Sequence, residues 1–118
     1  MKEDYVSFET AKLLKEKGFN EITDKQFFII DKIVGDYNIT DRSRNPERYL
    51  DAPTLQMAMK WLREVHELHV DIDPLEGNWR TKIVELEDLC EVDRGISLYG
   101  TYEEACEAAI KYCLENLI

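Results

Sequence analysis

The chain reads as an α+β fold, three helices packed on one face of a small antiparallel sheet, and three observations lead there. Apolar residues recur at helical spacing in three segments that carry their own start or stop signals. Between the second and third of these the period falls to two. The resulting order is helix, strands, helix, hairpin, strand, helix, without the regular β–α alternation of a parallel sheet. A length of 118 residues suits a single domain spanning 1–118.

The first helix is bounded by Ser7, whose hydroxyl can accept from the first free amides, and by Gly18, suited to the left-handed C′ position. Phe19 then falls at C″, where it packs on Leu14. Phe8, Ala11 and Leu14 form the inward stripe, Leu13 widens it, and Lys12, Lys15 and Lys17 stay in water. Residues 20–39 carry two readings. Thr23-Asp24-Lys25-Gln26 can open a helix through Phe27, Ile30, Ile33 and Val34. The preferred alternative is a strand over 27–30, a turn near Gly35-Asp36 and a strand over 37–39, because four consecutive aromatic and β-branched residues suit a pleated surface. Thr40 to Arg48, rich in Asp, Arg, Ser and Asn-Pro, reads as a loop.

The second helix runs from Pro53, at or near N1 where its missing donor costs nothing, to Val65. Leu55, Ala58, Leu62 and Val65 define its inward stripe, broadened by Met59 and Trp61. Leu68, Val70 and Ile72 then alternate with His69, Asp71 and Asp73, a strand with one face in the core. Residues 74–78 make a loop of hairpin length, and Trp79 to Leu86 returns as a second strand. After a turn at Asp93-Arg94-Gly95, Ile96 to Tyr99 forms a third. Thr101 and Glu104 then open the last helix as a capping box. Its stripe is Tyr102, Cys106, Ala109, Cys113 and Leu117, with Ala105, Ala108 and Ile110 beside it.

Charge is the most uneven property of the sequence. Residues 1–63 carry 11 basic and 11 acidic side chains, whereas residues 64–118 carry 4 basic and 14 acidic, the whole of the net charge of −10. That balance disfavours a binder of the phosphate backbone, which needs clustered cations. Only Arg42, Arg44 and Arg48 offer a phosphate contact. No apolar run approaches the ~20 residues of a membrane span, and the N-terminus lacks the apolar stretch of a signal peptide. Three cysteines with no CxxC pair, two of them about 10 Å apart along one helix, fit reduced thiols in the cytoplasm.

Catalytic and metal-binding patterns are sparse. His66 and His69 straddle the helix-to-strand junction without further ligands, so no metal is expected there. Asp71, Asp73 and Glu76 fail the calcium-loop spacing, since Leu75 and Glu76 occupy the fifth and sixth positions. No Ser-His-Asp order, glycine-rich phosphate loop or HExxH occurs. The cysteines read as small apolar residues, having no cationic neighbour to activate them. Neither a catalytic residue nor a cofactor is expected. Glu85, Glu87, Asp88, Glu91 and Asp93 place five acids in nine residues, and with Asp71 and Asp73 they form the candidate interaction surface. Such charge either blocks edge-to-edge strand pairing or docks a basic partner. The alternative site is a pocket between the second helix and the sheet near His66, His69 and Trp79. Trp61 and Trp79 are expected to share a core contact, whereas an exposed Trp beside Tyr49 and Tyr99 would mark an interface.

Three segments carry a resemblance covering about half the chain. They are Ala52-Pro53-Thr54 leading into Lys60-Trp61-Leu62-Arg63-Glu64-Val65-His66 and its strand, Tyr102-Glu103-Glu104-Ala105, and Ser7 to Lys15. Together they resemble small uncharacterised proteins of gut Bacteroidales bacteria and their phages and prophages. The resemblance implies a phage or mobile-element context and brings no catalytic residues. The expectation is a non-enzymatic accessory protein that binds a basic protein through its acidic C-terminal half. The rival is a small ligand-binding protein or enzyme using the His66, His69 and Trp79 pocket. A strand edge at 37–39 or 96–99 can also pair across a two-fold axis to form a dimer.

Overall fold

The computed structural model describes residues 4–30, 33–38, 49–92 and 97–118. Outside them lie the whole of the expected 40–48 loop with its three arginines, the turn at 93–95 with Asp93, Ile96, and Ile39 at the end of one candidate dimer edge. The elements are α1 (Phe8–Glu16), β1 (Lys25–Ile30), β2 (Ile33–Asn38), β3 (Tyr49–Asp51), α2 (Leu55–His66), β4 (Leu68–Leu75), β5 (Asn78–Glu85), β6 (Cys90–Glu91), β7 (Leu98–Tyr99) and α3 (Tyr102–Asn116). The α+β class with three helices is as expected. Its strands divide between two antiparallel sheets, one ordered β2-β1-β3, the other β4-β5-β6 with β7 also on β5.

Local signals set both ends of α1. The Ser7 hydroxyl accepts from the Thr10 amide. Gly18 has φ of 97°, and its amide donates to the Lys15 carbonyl at 3.2 Å while Phe19 N–H reaches the Leu14 carbonyl at 2.9 Å. That pair of bonds is a Schellman end. Residues 25–30 and 33–38 are strands, as the preferred reading held, but the expected turn at 35–36 is not a turn. Gly35 and Asp36 sit within β2 opposite Phe28 and Phe27, and Ile30 pairs with Ile33. The expected turn at 35–36 is therefore inside a strand, fixed by the antiparallel register that sets Gly35 and Asp36 against Phe28 and Phe27. Thr23 caps no helix. It is buried, and its hydroxyl donates to the Lys25 carbonyl and the Asp51 carboxylate, which also accepts from Gln26 Nε2.

The start of α2 is later than its proline suggests. Thr54 is the N-cap, accepting from the Met57 amide, and Pro53 lies outside at N′. Its carbonyl takes the Val6 amide at 3.0 Å, while the Leu55 amide donates to Asp4 O at 3.0 Å. The N-terminal strap 4–6 therefore satisfies one of the orphan amides of α2. Val65, expected inward, is 56% exposed. The helix ends one residue later, and the buried stripe runs through Leu55, Ala58, Met59, Trp61 and Leu62 instead.

Leu68 and Val70 turn inward from β4. The strand continues through Pro74 and Leu75 to a two-residue turn, Glu76-Gly77, with φ of 51° and 81°. Two positive φ values make a type I′ turn, which matches strand twist. In such a hairpin the pair next to the closing one lacks mutual hydrogen bonds, so Pro74, opposite Trp79, withholds no donor from β5. Helices α2 and α3 pack on the inner face of this sheet, and α3 also touches α1. Ile83, Cys106, Ala109, Ile110, Cys113 and Leu114 are fully buried there. Helix α1 meets the other sheet edge-to-face, Phe8 on Phe27 at 5.7 Å.

Candidate functional site

The seven acids of the expected surface separate into three environments. Glu87, Asp88 and Glu91 are exposed around the 86–89 turn that joins β5 to β6, while Glu85 is half-buried. That turn holds Leu89 at φ 57° and 77% exposed, and Cys90 N–H donates to Asp88 Oδ1 at 3.2 Å. Asp71 is exposed on the outer face of β4. Asp73 differs, being paired with Arg80 at 3.3 Å and Lys82 at 3.1 Å. Hydrogen bonds from Lys82 and Arg80 hold its carboxyl below the ordinary value. Asp73 is a neutralised strand-face acid; Asp93 lies outside the described residues.

The residues of the alternative pocket do not meet. His66 turns back on Trp61, ring centroids 4.7 Å apart. His69 alternates to the outer face of β4, opposite Val84. Trp79 is five positions from Val84 along β5, roughly 16 Å away, and stacks edge-to-face on Tyr102 at 5.5 Å. The expected contact between the tryptophans is also absent, since Trp61 packs on Phe19 at 5.5 Å. A helix that stops at a left-handed Glu67 turns the chain by far more than helical spacing assumes, which parts the two histidines. Among the described residues no group of three or more His, Cys, Asp or Glu is arranged to hold a metal ion. No helix there is long and apolar enough to cross a membrane.

What the chain does assemble is an open groove of about 660 Å³, lined by Asp4, Tyr5, Ser7, Leu55, Tyr99, Glu103, Glu104, Glu107 and Ala108. The strap 4–7 forms one wall, held against residues 53–55 by two backbone hydrogen bonds and the Tyr5–Thr54 bridge. The opposite wall is the opening of α3, where Glu103 and Glu107, and Glu104 and Ala108, fall on adjacent turns at i, i+4. Tyr99 arrives from β7, paired with Trp79. Among the described residues, nine line the groove, of which four are carboxylates and none is Lys or Arg.

Glu107 is the best-held of these acids. Its Oε1 accepts from Thr10 Oγ1 at 2.6 Å and from the Ser7 amide at 3.0 Å. Thr10 is fully buried, so α1 and α3 are clamped through this carboxylate. Thr101 caps α3 by accepting from the Glu104 amide, and the helix dipole favours the carboxylates of Glu103 and Glu104 in the first turn. The sequence marks Glu104 as part of a capping box and carries no signal that singles out Glu107 or Asp4. The i, i+4 pairs were visible, whereas the strap that faces them was not.

No family model, curated protein or solved structure matches this chain.

Proposed function

We propose that this chain is a non-enzymatic accessory protein of a phage or mobile element, and that it binds a basic protein through carboxylates of its acidic C-terminal half. One observation carries the reading: most of those carboxylates are exposed, and among the described residues few of them are ion-paired. Among the described residues, Glu85, Glu87, Asp88, Glu91, Glu103 and Glu104 make no ion pair, whereas Asp73, Glu64 and Glu9 do. Residues 1–63 carry a base for every acid, whereas residues 64–118 carry 4 bases against 14 acids, so the unbalanced charge falls on this half alone. A surface of one sign steers an oppositely charged partner and rejects like-charged ones.

The test is affinity capture from a lysate of the bacterial host, followed by titration of the purified partner at several salt concentrations. Affinity should fall with salt. Neutralising Glu85, Glu87, Asp88 and Glu91 to their amides should weaken it about fourfold or more, at roughly 0.2–1 kcal/mol for each charge. A partner whose affinity ignores both salt and these substitutions refutes the reading.

A further inference from the structure

We propose that two copies of this chain join through the open edge of β4, which pairs antiparallel with itself across a two-fold axis and makes one sheet of two. This dimer is independent of any basic partner.

Strand β4 ends its sheet, with β5 on one side and no strand on the other among the described residues. Its odd-numbered residues exchange backbone hydrogen bonds with β5. Leu75 and Asn78 close the two-residue turn, and at the far end the Leu86 amide donates to Glu67 O at 2.8 Å. The even-numbered residues therefore point their backbone groups outward. Leu68, Val70 and Ile72 present donors and acceptors, and Pro74 an acceptor alone. Among the described residues none of these outward groups has a backbone partner. Pro74 blunts only the last position, which leaves 68–72 as a template for another strand.

Three features make a second copy the occupant. The first is register. Centred on Val70, self-pairing sets Val70 against Val70 and Leu68 against Ile72. Each is a hydrogen-bonded pair that exchanges two bonds, so every outward N–H is used and Pro74 falls beyond the last pair. The second is charge. His69 then lies opposite the second copy's Asp71, and Asp71 opposite its His69, on the outer face of the joined sheet. An imidazole N–H can donate to that carboxylate, and the symmetry makes the contact twice. Centring on residue 71 would set Asp71 against itself, and like charges directly opposite are destabilising. Centring on residue 69 would set Ile72 against His66, which ends α2 and is no strand. The third is apolar cover. Val65 is 56% exposed in the last turn of α2, and Pro74 is exposed at the other end of β4. Residues directly opposite share a face, so the end of α2 that carries Val65 comes beside the second copy's Pro74.

Repulsion opposes this association. Each copy carries a net charge of −10, and Glu67 falls opposite the second copy's Asp73. Arg80 at 3.3 Å and Lys82 at 3.1 Å already compensate that aspartate. A screening length of ~8 Å at physiological salt confines the long-range part.

Sedimentation equilibrium of the full chain at physiological salt tests the dimer. The expected result is a concentration-dependent rise from 13.9 kDa towards twice that mass. His69→Asp sets like charges opposite at both contacts and should raise the dissociation constant about tenfold. Adding Asp71→His to it exchanges the partners and should restore most of the affinity, whereas simple damage to β4 would deepen the loss. A cross-link checks the register, with Cys90→Ser in every chain to remove the exposed thiol. His69→Cys and Asp71→Cys chains, mixed with oxidised glutathione, should form a disulfide heterodimer, since opposite residues of a non-hydrogen-bonded pair have Cα atoms ~4.5 Å apart. His69→Cys alone lacks an opposite thiol and should not. A monomer at every concentration, a His69→Asp chain that dimerises like the parent, a double variant that regains nothing, or a mixture without the cross-link overturns the proposal. A strand of another protein on this edge gives the first of these results, and a dimer through a different edge gives the second. None of them bears on the salt-dependent capture of a basic partner.

Discussion

Thr10→Val tests the clamp that joins α1 to α3 and positions Glu107. Valine keeps the shape of threonine, so a site with no exposed surface is left without a cavity, and the two residues differ little in helix propensity. What goes is the 2.6 Å bond from Thr10 Oγ1 to Glu107 Oε1, together with an acceptor for Ser7 Oγ at 3.2 Å. A hydrogen bond to a charged group nets roughly 1.5–3 kcal/mol. Ser7 is exposed and Glu107 half-exposed, so water re-forms part of what is lost, and the expected cost is about 1–2 kcal/mol. Unfolding entropy of roughly 2.1 cal/mol/K per residue over 118 residues converts this to a fall in Tm of about 4–8 °C. Urea unfolding followed by circular dichroism measures it directly. Glu107→Gln keeps an acceptor oxygen and should cost less, about 0.5–1 kcal/mol. The double variant should show at least about 0.5 kcal/mol of coupling. A Thr10→Val protein as stable as the parent, or additive behaviour in the cycle, would refute the clamp.

Two further outcomes follow from backbone and charge. Glu76 occupies the first central position of the type I′ turn at φ 51°, where asparagine is strongly preferred. Glu76→Asn should therefore stabilise the chain by about 0.5–1 kcal/mol in urea, and a loss of stability would show that the turn is of another type. Asp73 is held below its ordinary value of 3.8 by Lys82 and Arg80. A lowered folded-state value means its contribution is complete above the unfolded-state value and disappears as pH falls through the folded one. The stability gap between the parent and Asp73→Asn should thus be constant above about pH 5 and close steadily below pH 4; a gap that widens in acid contradicts the pairing.

What could be read from the residues alone was what depends on near neighbours. Ser7, Gly18, Phe19 and Thr101 each act within one helical turn, and each does what its type dictates. The α2 start shows where local reasoning stops. Pro53 and Thr54 are both good start signals, and the choice fell to Thr54 because a distant segment supplies Asp4 O to the Leu55 amide. Strand β6 has two residues and no pattern of its own, existing only because β5 offers an edge. Val65 was misplaced because period arithmetic presumes one flat partner face, whereas Trp61 and Met59 rotate the buried stripe of α2 away from it. The groove is the extreme case. Its walls come from residues 4–7, 55 and 99–108, and no window of the sequence contains more than one of them.

The charge excess of residues 64–118 can now be assigned by location. Glu64 and Asp73 are compensated, by Lys60 at 3.9 Å in one case and by two cations in the other. Glu76 sits in a turn, where its charge is spent in water. Seven of the others lie toward the two ends of β5: Glu85, Glu87, Asp88 and Glu91 at one, Glu103, Glu104 and Glu107 at the other. Glu85 to Glu91 surround the turn beyond its C-terminal end, and the groove lies by Tyr99 and Tyr102, which flank Trp79 near its start. Six strand residues separate Trp79 from Glu85, roughly 20 Å, two Debye lengths at physiological salt. The two clusters are therefore electrostatically independent. A single compact cation cannot engage both, whereas an extended basic segment of six or seven residues spans the distance at ~3.3 Å each. Joined in one ligand, two weak sites gain from effective concentration. Neutralising either end alone should then weaken the partner's binding, and neutralising both should weaken it further.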